Sequence, residues 1–211
     1  MQSTQFGRIL QRLATILSVV ILTLCLIYTT TGILLSFYYE PTAGGAYNSL
    51  KMINIQIPYG WLFYRTHEIA GNAVIAIALV QIVVMFLGRQ FSKSWLIAWV
   101  SGILLTLSAI GLDWTAMLLD WTQEGYWRFS IELGTIEAIP LIGGQLRNIL
   151  TGGGAINSLT VEHLYTIHSY VIAAATLILA VVHLLALLWQ EQQIYTAQKL
   201  HQLPETSLVE S

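Results

Sequence analysis

Three histidines lie inside otherwise apolar stretches of this chain, His67, His168 and His183. Imidazole in a membrane span is costly unless it has a task, and its nitrogens are good ligands for transition metals. Gln81 follows His67 by fourteen positions, and His183 follows His168 by fifteen. At helical rise these separations are about 21–22 Å. Fourteen residues make four turns at the 3.5-residue period of a supercoiled bundle, so the members of each pair face the same way. If both stretches enter from the same side, His67 and His168 share one depth, and Gln81 and His183 share a second. Two imidazoles at equal depth can sandwich a planar iron porphyrin, the axial arrangement of low-spin haem b. A lone intramembrane histidine serves as readily in a helix–helix hydrogen bond. Three with matched separations point to ligation, with Gln81 as the unusual corner.

The elements needed to position these residues follow from composition. The 211 residues are 55% hydrophobic and only 9% charged, with a mean hydropathy of +0.66. A soluble domain carries about a quarter charged residues, so the chain reads as a polytopic helical membrane protein. Spans of roughly 20 apolar residues are expected at about 13–37, 61–87, 95–119 and 161–189. A polar head occupies 1–12 and a polar, frayed tail 191–211, leaving 13–190 as one transmembrane domain. Gly44-Gly45 opens a loop running to about Gly60, and residues 131–150, broken by Pro140 and Gly143-Gly144, read as short interfacial helices. The first apolar run is too long for a cleavable signal. A net charge of −2 without basic clusters argues against nucleic-acid binding. The single cysteine, Cys25, excludes an internal disulfide, and no Cys-x-x-Cys-His attachment motif is present.

Four spans place both termini on one side, together with Arg8, Arg12, Arg89, Lys93 and Lys199. Lys51, Arg65, Arg128 and Arg147 lie on the other side in longer loops. Cation density therefore predicts cytoplasmic or stromal termini. Small residues recur at both depths. Gly32 and, fourteen positions earlier, Ser18 lie on the first span; Gly102 and, fourteen later, Ala116 lie on the third. Those spans run opposite to the second and fourth, so Gly32 and Ala116 fall near His67 and His168, while Ser18 and Gly102 fall near Gln81 and His183. Residues without bulk let a macrocycle fit between helices, although small residues are also common in membrane helices generally.

Several motifs together resemble the N-terminal four-helix half of cytochrome b, nearest the cytochrome b6 type, over about residues 8–192. They are Phe37-Tyr38-Tyr39-Glu40-Pro41-Thr42, Gly60-Trp61-Leu62 ahead of His67, Trp99-Val100-Ser101-Gly102, Gln123-Glu124-Gly125-Tyr126-Trp127, Glu137-Ala138-Ile139-Pro140-Leu141-Ile142-Gly143, and Leu164-Tyr165-Thr166-Ile167-His168. The fifteen-residue spacing to His183 also fits the b6 type. The resemblance implies an all-α transmembrane haem-binding bundle, haem b on His67 and His168, and quinone or quinol with other redox subunits as partners. A homodimer, and a bacterial inner or thylakoid membrane, are implied in the same way. It also shows departures. The family has histidine where Gln81 stands, so the second haem has at most His183 as a protein ligand or is not held at all. Family arginines are replaced at Tyr64, Glu68 and Val84, with Arg65 adjacent to one of them as a cofactor contact. The b6 cysteine for a covalent haem corresponds to Ile16, so no such haem is expected. The family's second half, with its Pro-Glu-Trp-Tyr motif, lies outside this sequence.

The resulting expectation is a haem b electron-transfer subunit of a quinol-linked complex. The alternative is a non-catalytic membrane subunit or assembly factor that keeps the fold; a stand-alone quinol oxidoreductase is the weakest of the three. Of the remaining polar residues, Asp113 is a solvated interfacial carboxylate or a proton relay, and His163 a solvated or propionate-facing group. Arg128, Arg147, Arg89 and Lys93 are candidate propionate or lipid-headgroup contacts.

Overall fold

Apolar length dictates the architecture. A computed structural model of the protein describes residues 5–88 and 95–202, with side chains to 196. Its helices are α1 (Gln5–Ser36), α2 (Gly45–Ile55), α3 (Gly60–Leu87), α4 (Leu96–Leu119), α5 (Gln123–Glu137), α6 (Gly143–Thr151), α7 (Ser158–Thr166) and α8 (Ala173–Gln202). A π-helical turn, Ile167–Ile172, joins α7 to α8 in one rod. No strand occurs among the described residues. Among the described residues, four helices are long and apolar enough to cross a membrane: α1, α3, α4 and the α7–α8 rod. The chain is an integral membrane protein.

Neighbouring helices around the bundle are α1 with α3, α3 with α4, α4 with α8, and α8 with α1. Helix α3 and the α7–α8 rod therefore oppose one another across the bundle. Buried Ala14, Ala70, Ala78, Ala98, Ala109 and Ala180 line the interior, where small side chains let helices approach without a hydrophobic driving force. The outer faces carry exposed Ile33, Leu79, Val83, Leu107 and Leu185, as a helix apolar all round requires of lipid.

Several boundaries differ from those read in the sequence. Helix α1 begins at Gln5 rather than near Leu13, because Arg8, Gln11 and Arg12 are good helix formers whose stems can lie along the interface. The expected frayed tail continues α8 to Gln202; Gln, Glu, Ala and Lys favour helix, and no Gly or Pro interrupts before Pro204. The Gly44–Gly60 loop contains α2. The interfacial segment is two helices, α5 and α6, and α5 starts at Gln123, with Thr122 Oγ1 accepting from the Gly125 N–H at 3.1 Å. Arg89 and Lys93 lie outside the described residues, as do the side chains of Lys199 and His201.

The π turn resolves the mismatch between fourteen and fifteen. The Ala173 N–H donates to the His168 carbonyl, five residues back instead of four. One residue is thereby absorbed between His168 and His183, and fifteen positions on this rod cover what fourteen cover on α3. Such single-turn insertions are frequent at functional sites.

Candidate functional site

His67 and Gln81 on α3, and His168 and His183 on the α7–α8 rod, are each pinned to the helix beside them. His67 Nδ1 lies 2.9 Å from the Tyr28 carbonyl and 3.3 Å from Thr31 Oγ1. His168 Nδ1 lies 3.1 Å from the Leu112 carbonyl and 3.0 Å from Thr115 Oγ1. His183 Nδ1 meets Ser101 Oγ at 3.0 Å and the Ala98 carbonyl. A carbonyl can only accept, so each Nδ1 carries the proton and donates. Nε2 keeps its lone pair, the form in which a histidine binds metal. At the fourth corner, Gln81 Nε2 donates to the Ala14 carbonyl at 2.8 Å. An amide N–H thus stands where the other corners present an imidazole N–H.

The small residues sit one helical turn beyond those carbonyls. A Cβ built on Gly32 would lie 2.9 Å from His67 Cε1, and one on Gly102 would lie 2.8 Å from His183 Cε1. Ala116 follows Leu112 by four residues and Ser18 follows Ala14 by four, so all four corners repeat one pattern. Gly32, Ala116, His67 and His168 border one cavity; Ser18, Gln81 and His183 are buried.

The His67 and His168 ring centres are 6.3 Å apart. Two metal–imidazole bonds of about 2 Å, with about 1 Å more from each nitrogen to its ring centre, come to roughly 6 Å. The cavity they border has a volume of about 650 Å³, within the roughly 300–1,000 Å³ range of cofactor sites. Pinned Nδ1 atoms, a glycine cradle and a matching gap fit an axially ligated porphyrin at this level.

The second level is closed. His183 is 0% exposed and Gln81 2%. On one side lies the packed cluster containing Ile21, Ala78, Leu105 and Ala180. On the other are Ala14, Val84, Met85, Trp95 and Leu187. His183 Nε2 is buried without a hydrogen-bond partner.

The mouth of the upper cavity is more acidic than basic. Tyr64, Glu68, Asp113, Asp120 and Arg128 line it, with Tyr64 Oη donating to Asp120 Oδ2 at 3.3 Å. Arg65 does not join them. Its side chain is 64% exposed and pairs with Glu68 at 2.9 Å, since an arginine two residues from His67 on a helix points off the ligand face. His163 Nδ1 meets the Ile149 carbonyl at 3.0 Å, tying α7 to α6. Arg128 pairs with Glu132, and Arg147 pairs with Glu137. Cys25 is buried in the apolar core, and Ile16 faces outward.

Burial pushes the Asp120 carboxyl above its usual range, with Glu68 adding to the effect and the Tyr64 hydroxyl opposing it. The native state therefore holds the proton more tightly than the unfolded chain. Stability falls as pH rises from the ordinary carboxylate range through the raised native value, and levels off above it. Asp120→Asn, which keeps an acceptor for Tyr64, is expected to flatten that slope. Melting temperatures in detergent between about pH 4 and about pH 8 provide the check; an unchanged slope counts against Asp120.

A bundle of four spans with opposed imidazoles across its axis belongs to the class of membrane proteins that carry haem between helices. Comparison with known proteins gives the family. The Cytochrome b/b6/petB family model matches residues 5–191, and the chain belongs to that family. Cytochrome b6 of Auxenochlorella protothecoides is 30% identical over 160 residues, 76% of this chain and 74% of that protein. Cytochrome b6 of Cyanidium caldarium is 30% identical over 164 residues, 78% and 76% of the two chains. A chain of a solved "Hyperthermophilic respiratory Complex III" superposes with a TM-score of 0.73 at 23% identity, covering 82% of this chain. The match spans 47% of that solved chain, about half its length. The protein is a membrane haem protein of electron transfer, with haem b as the family's cofactor.

Sequence reasoning missed Thr31, Thr115 and Ser101. A signal was present: a hydroxyl residue immediately precedes the small residue at Thr31-Gly32, Thr115-Ala116 and Ser101-Gly102, whereas Leu17 precedes Ser18.

Proposed function

We propose that this chain is a one-haem electron carrier, with haem b held between His67 and His168 and electrons exchanged with quinol, quinone or a partner redox subunit. The transmembrane unit is residues 13–190, with both termini on the cytoplasmic or stromal side. The observation that carries the reading is the His67–His168 pair: two rings at a two-bond separation, each with Nδ1 committed, beside a cavity of matching size. The chemistry supplied there is the one-electron ferric–ferrous couple of a low-spin haem. The chain's own residues do the rest. The Tyr28 and Leu112 carbonyls fix the tautomer and ring plane. Gly32 leaves room for the His67 ring, and the apolar walls of the bundle would shield a haem held by His67 and His168 from water. Tyr64, Asp120 and Arg128 give the mouth its hydrogen-bonding and charged groups.

The closed second level supports one haem rather than two. Gln81 has no imidazole to offer. A second reading, a haem held there by His183 alone, is favoured by one observation. Burying the His183 Nε2 without a partner costs about 1–3 kcal/mol, and a metal would satisfy it. Pyridine haemochrome assay of the purified chain decides between them. One haem per polypeptide is expected, with no gain in Gln81→His. Two per polypeptide replace this reading with the second. A colourless protein leaves the non-catalytic subunit or assembly factor.

A further inference from the structure

Three hydroxyls in the bundle share an arrangement that packing does not require. Thr31 Oγ1 donates to the Ile27 carbonyl at 2.8 Å, Thr115 Oγ1 to the Gly111 carbonyl at 2.9 Å, and Ser101 Oγ to the Ile97 carbonyl at 2.7 Å. Back-bonding of this kind is usual for Ser and Thr in helices. Here it commits the hydroxyl proton to the helix, so each oxygen turns a lone pair toward a histidine Nδ1, at 3.3, 3.0 and 3.0 Å. Each Nδ1–H therefore faces two acceptors, a carbonyl and a hydroxyl oxygen. The fourth corner supplies the comparison: where Gln81 replaces the imidazole, position 17 is leucine.

We propose that Thr31 and Thr115 are positioning residues that set the reduction potential of the haem through its axial imidazoles; this rests on the ligand pair of the preceding section. A second acceptor on Nδ1–H draws that proton away from the ring and makes Nε2 a stronger donor. A stronger donor favours the ferric state and lowers the potential, and hydrogen bonding to the axial ligand is one of the protein's recognised controls on a haem. The paired acceptors also fix each ring about its Cβ–Cγ bond, and so hold the 54° angle between the two imidazole planes. Ser101 makes the same contact to His183, at the level closed by packing.

The test is a redox titration of the haem-loaded, full-length protein in Thr31→Val, Thr115→Val and the double variant. Low-temperature electron paramagnetic resonance of the ferric form accompanies it. Valine keeps the shape and removes the oxygen. The expected result is unchanged haem content and a ferric–ferrous equilibrium displaced toward ferrous, on the order of tenfold in the double variant. For a one-electron couple that is an upward shift of about 59 mV. The g values are expected to move as the ring planes loosen, and Thr31→Ser and Thr115→Ser to restore both readouts. Thr30→Val is the control, since Thr30 Oγ1 donates to the Leu26 carbonyl from an exposed position; it is expected to leave the potential where it was. Wild-type potential and g values in the valine variants overturn the proposal. If the valine variants lose haem, recovery in the serine variants supports it, and failure to recover shows that the methyl group, rather than the oxygen, matters and overturns it. Absence of a low-spin signal in the parent protein strikes instead at the ligand pair itself.

Discussion

Alanine at either His67 or His168 is expected to remove essentially all low-spin haem absorption from the purified chain, whereas alanine at His183 is expected to leave it. The contrast follows from surroundings rather than from residue type. All three rings use Nδ1 in the same way, so all three offer Nε2. Only His67 and His168 border a cavity of cofactor size, and only they face each other, at 6.3 Å. Removing one of them leaves a porphyrin with a single protein ligand in a site built for two. Reduced-minus-oxidised spectra with iron counted per polypeptide read the outcome directly. Intact bands after either alanine substitution would end the ligand assignment. Bands lost in His183→Ala with the helical content unchanged would move the haem to the other level.

The second large effect is expected at Gly32. A Cβ there would meet the His67 ring at 2.9 Å from Cε1 and 3.3 Å from Nδ1, so Gly32→Val must push the ring away from the Tyr28 carbonyl. Overpacking of this kind costs about 1–3 kcal/mol, and a displacement of roughly 1 Å at a ligand is enough to spoil a site. Haem content is expected to fall several-fold. Gly102→Val makes the equivalent clash with His183, 2.8 Å from Cε1. It is expected to destabilise the bundle by a similar free energy, read as a lower melting temperature, while haem per chain stays at the parent value. Equal haem loss in the two variants would place cofactor at both levels.

Much of this arrangement was legible in the amino-acid order because two of its causes are local. Apolar length marks the four spans, and α3 and α4 run within a residue of where hydropathy puts them. Helical period places His67, Gln81, His168 and His183 at two depths, and the opposite run of α1 and α4 brings Gly32 and Gly102 to the right rings. What could not be read depends on contacts between helices. The spacings of fourteen and fifteen do not show in the sequence how one extra residue is absorbed; the π turn at Ile167–Ile172 does it. Arg65 looks like a cofactor contact until its neighbour Glu68 claims it on the exposed side. Closure of the second level is a property of Val84, Met85 and Leu187 packing together, and no single one of them announces it. The loop helix α2 and the helical tail are hidden by their polarity, which reads as irregular chain although Gln, Glu, Ala and Lys carry the tail as helix to Gln202.

His67 lies seven residues into α3, roughly 10 Å along its axis from Gly60. Beyond that depth toward the termini, the interior offers densely packed alanine, leucine, isoleucine and valine, with one amide and one imidazole already enclosed. An electron arriving from the loop-bearing face and leaving by it crosses only a small part of the transmembrane field. A full crossing is worth about 2.3 kcal/mol per 100 mV for each charge, and this geometry is exposed to little of it. A one-haem carrier of this kind is expected to work at nearly the same rate in an energised membrane as in a discharged one. With one haem, as proposed above, the chain would relay reducing power along one surface of the bilayer and add little to the voltage across it.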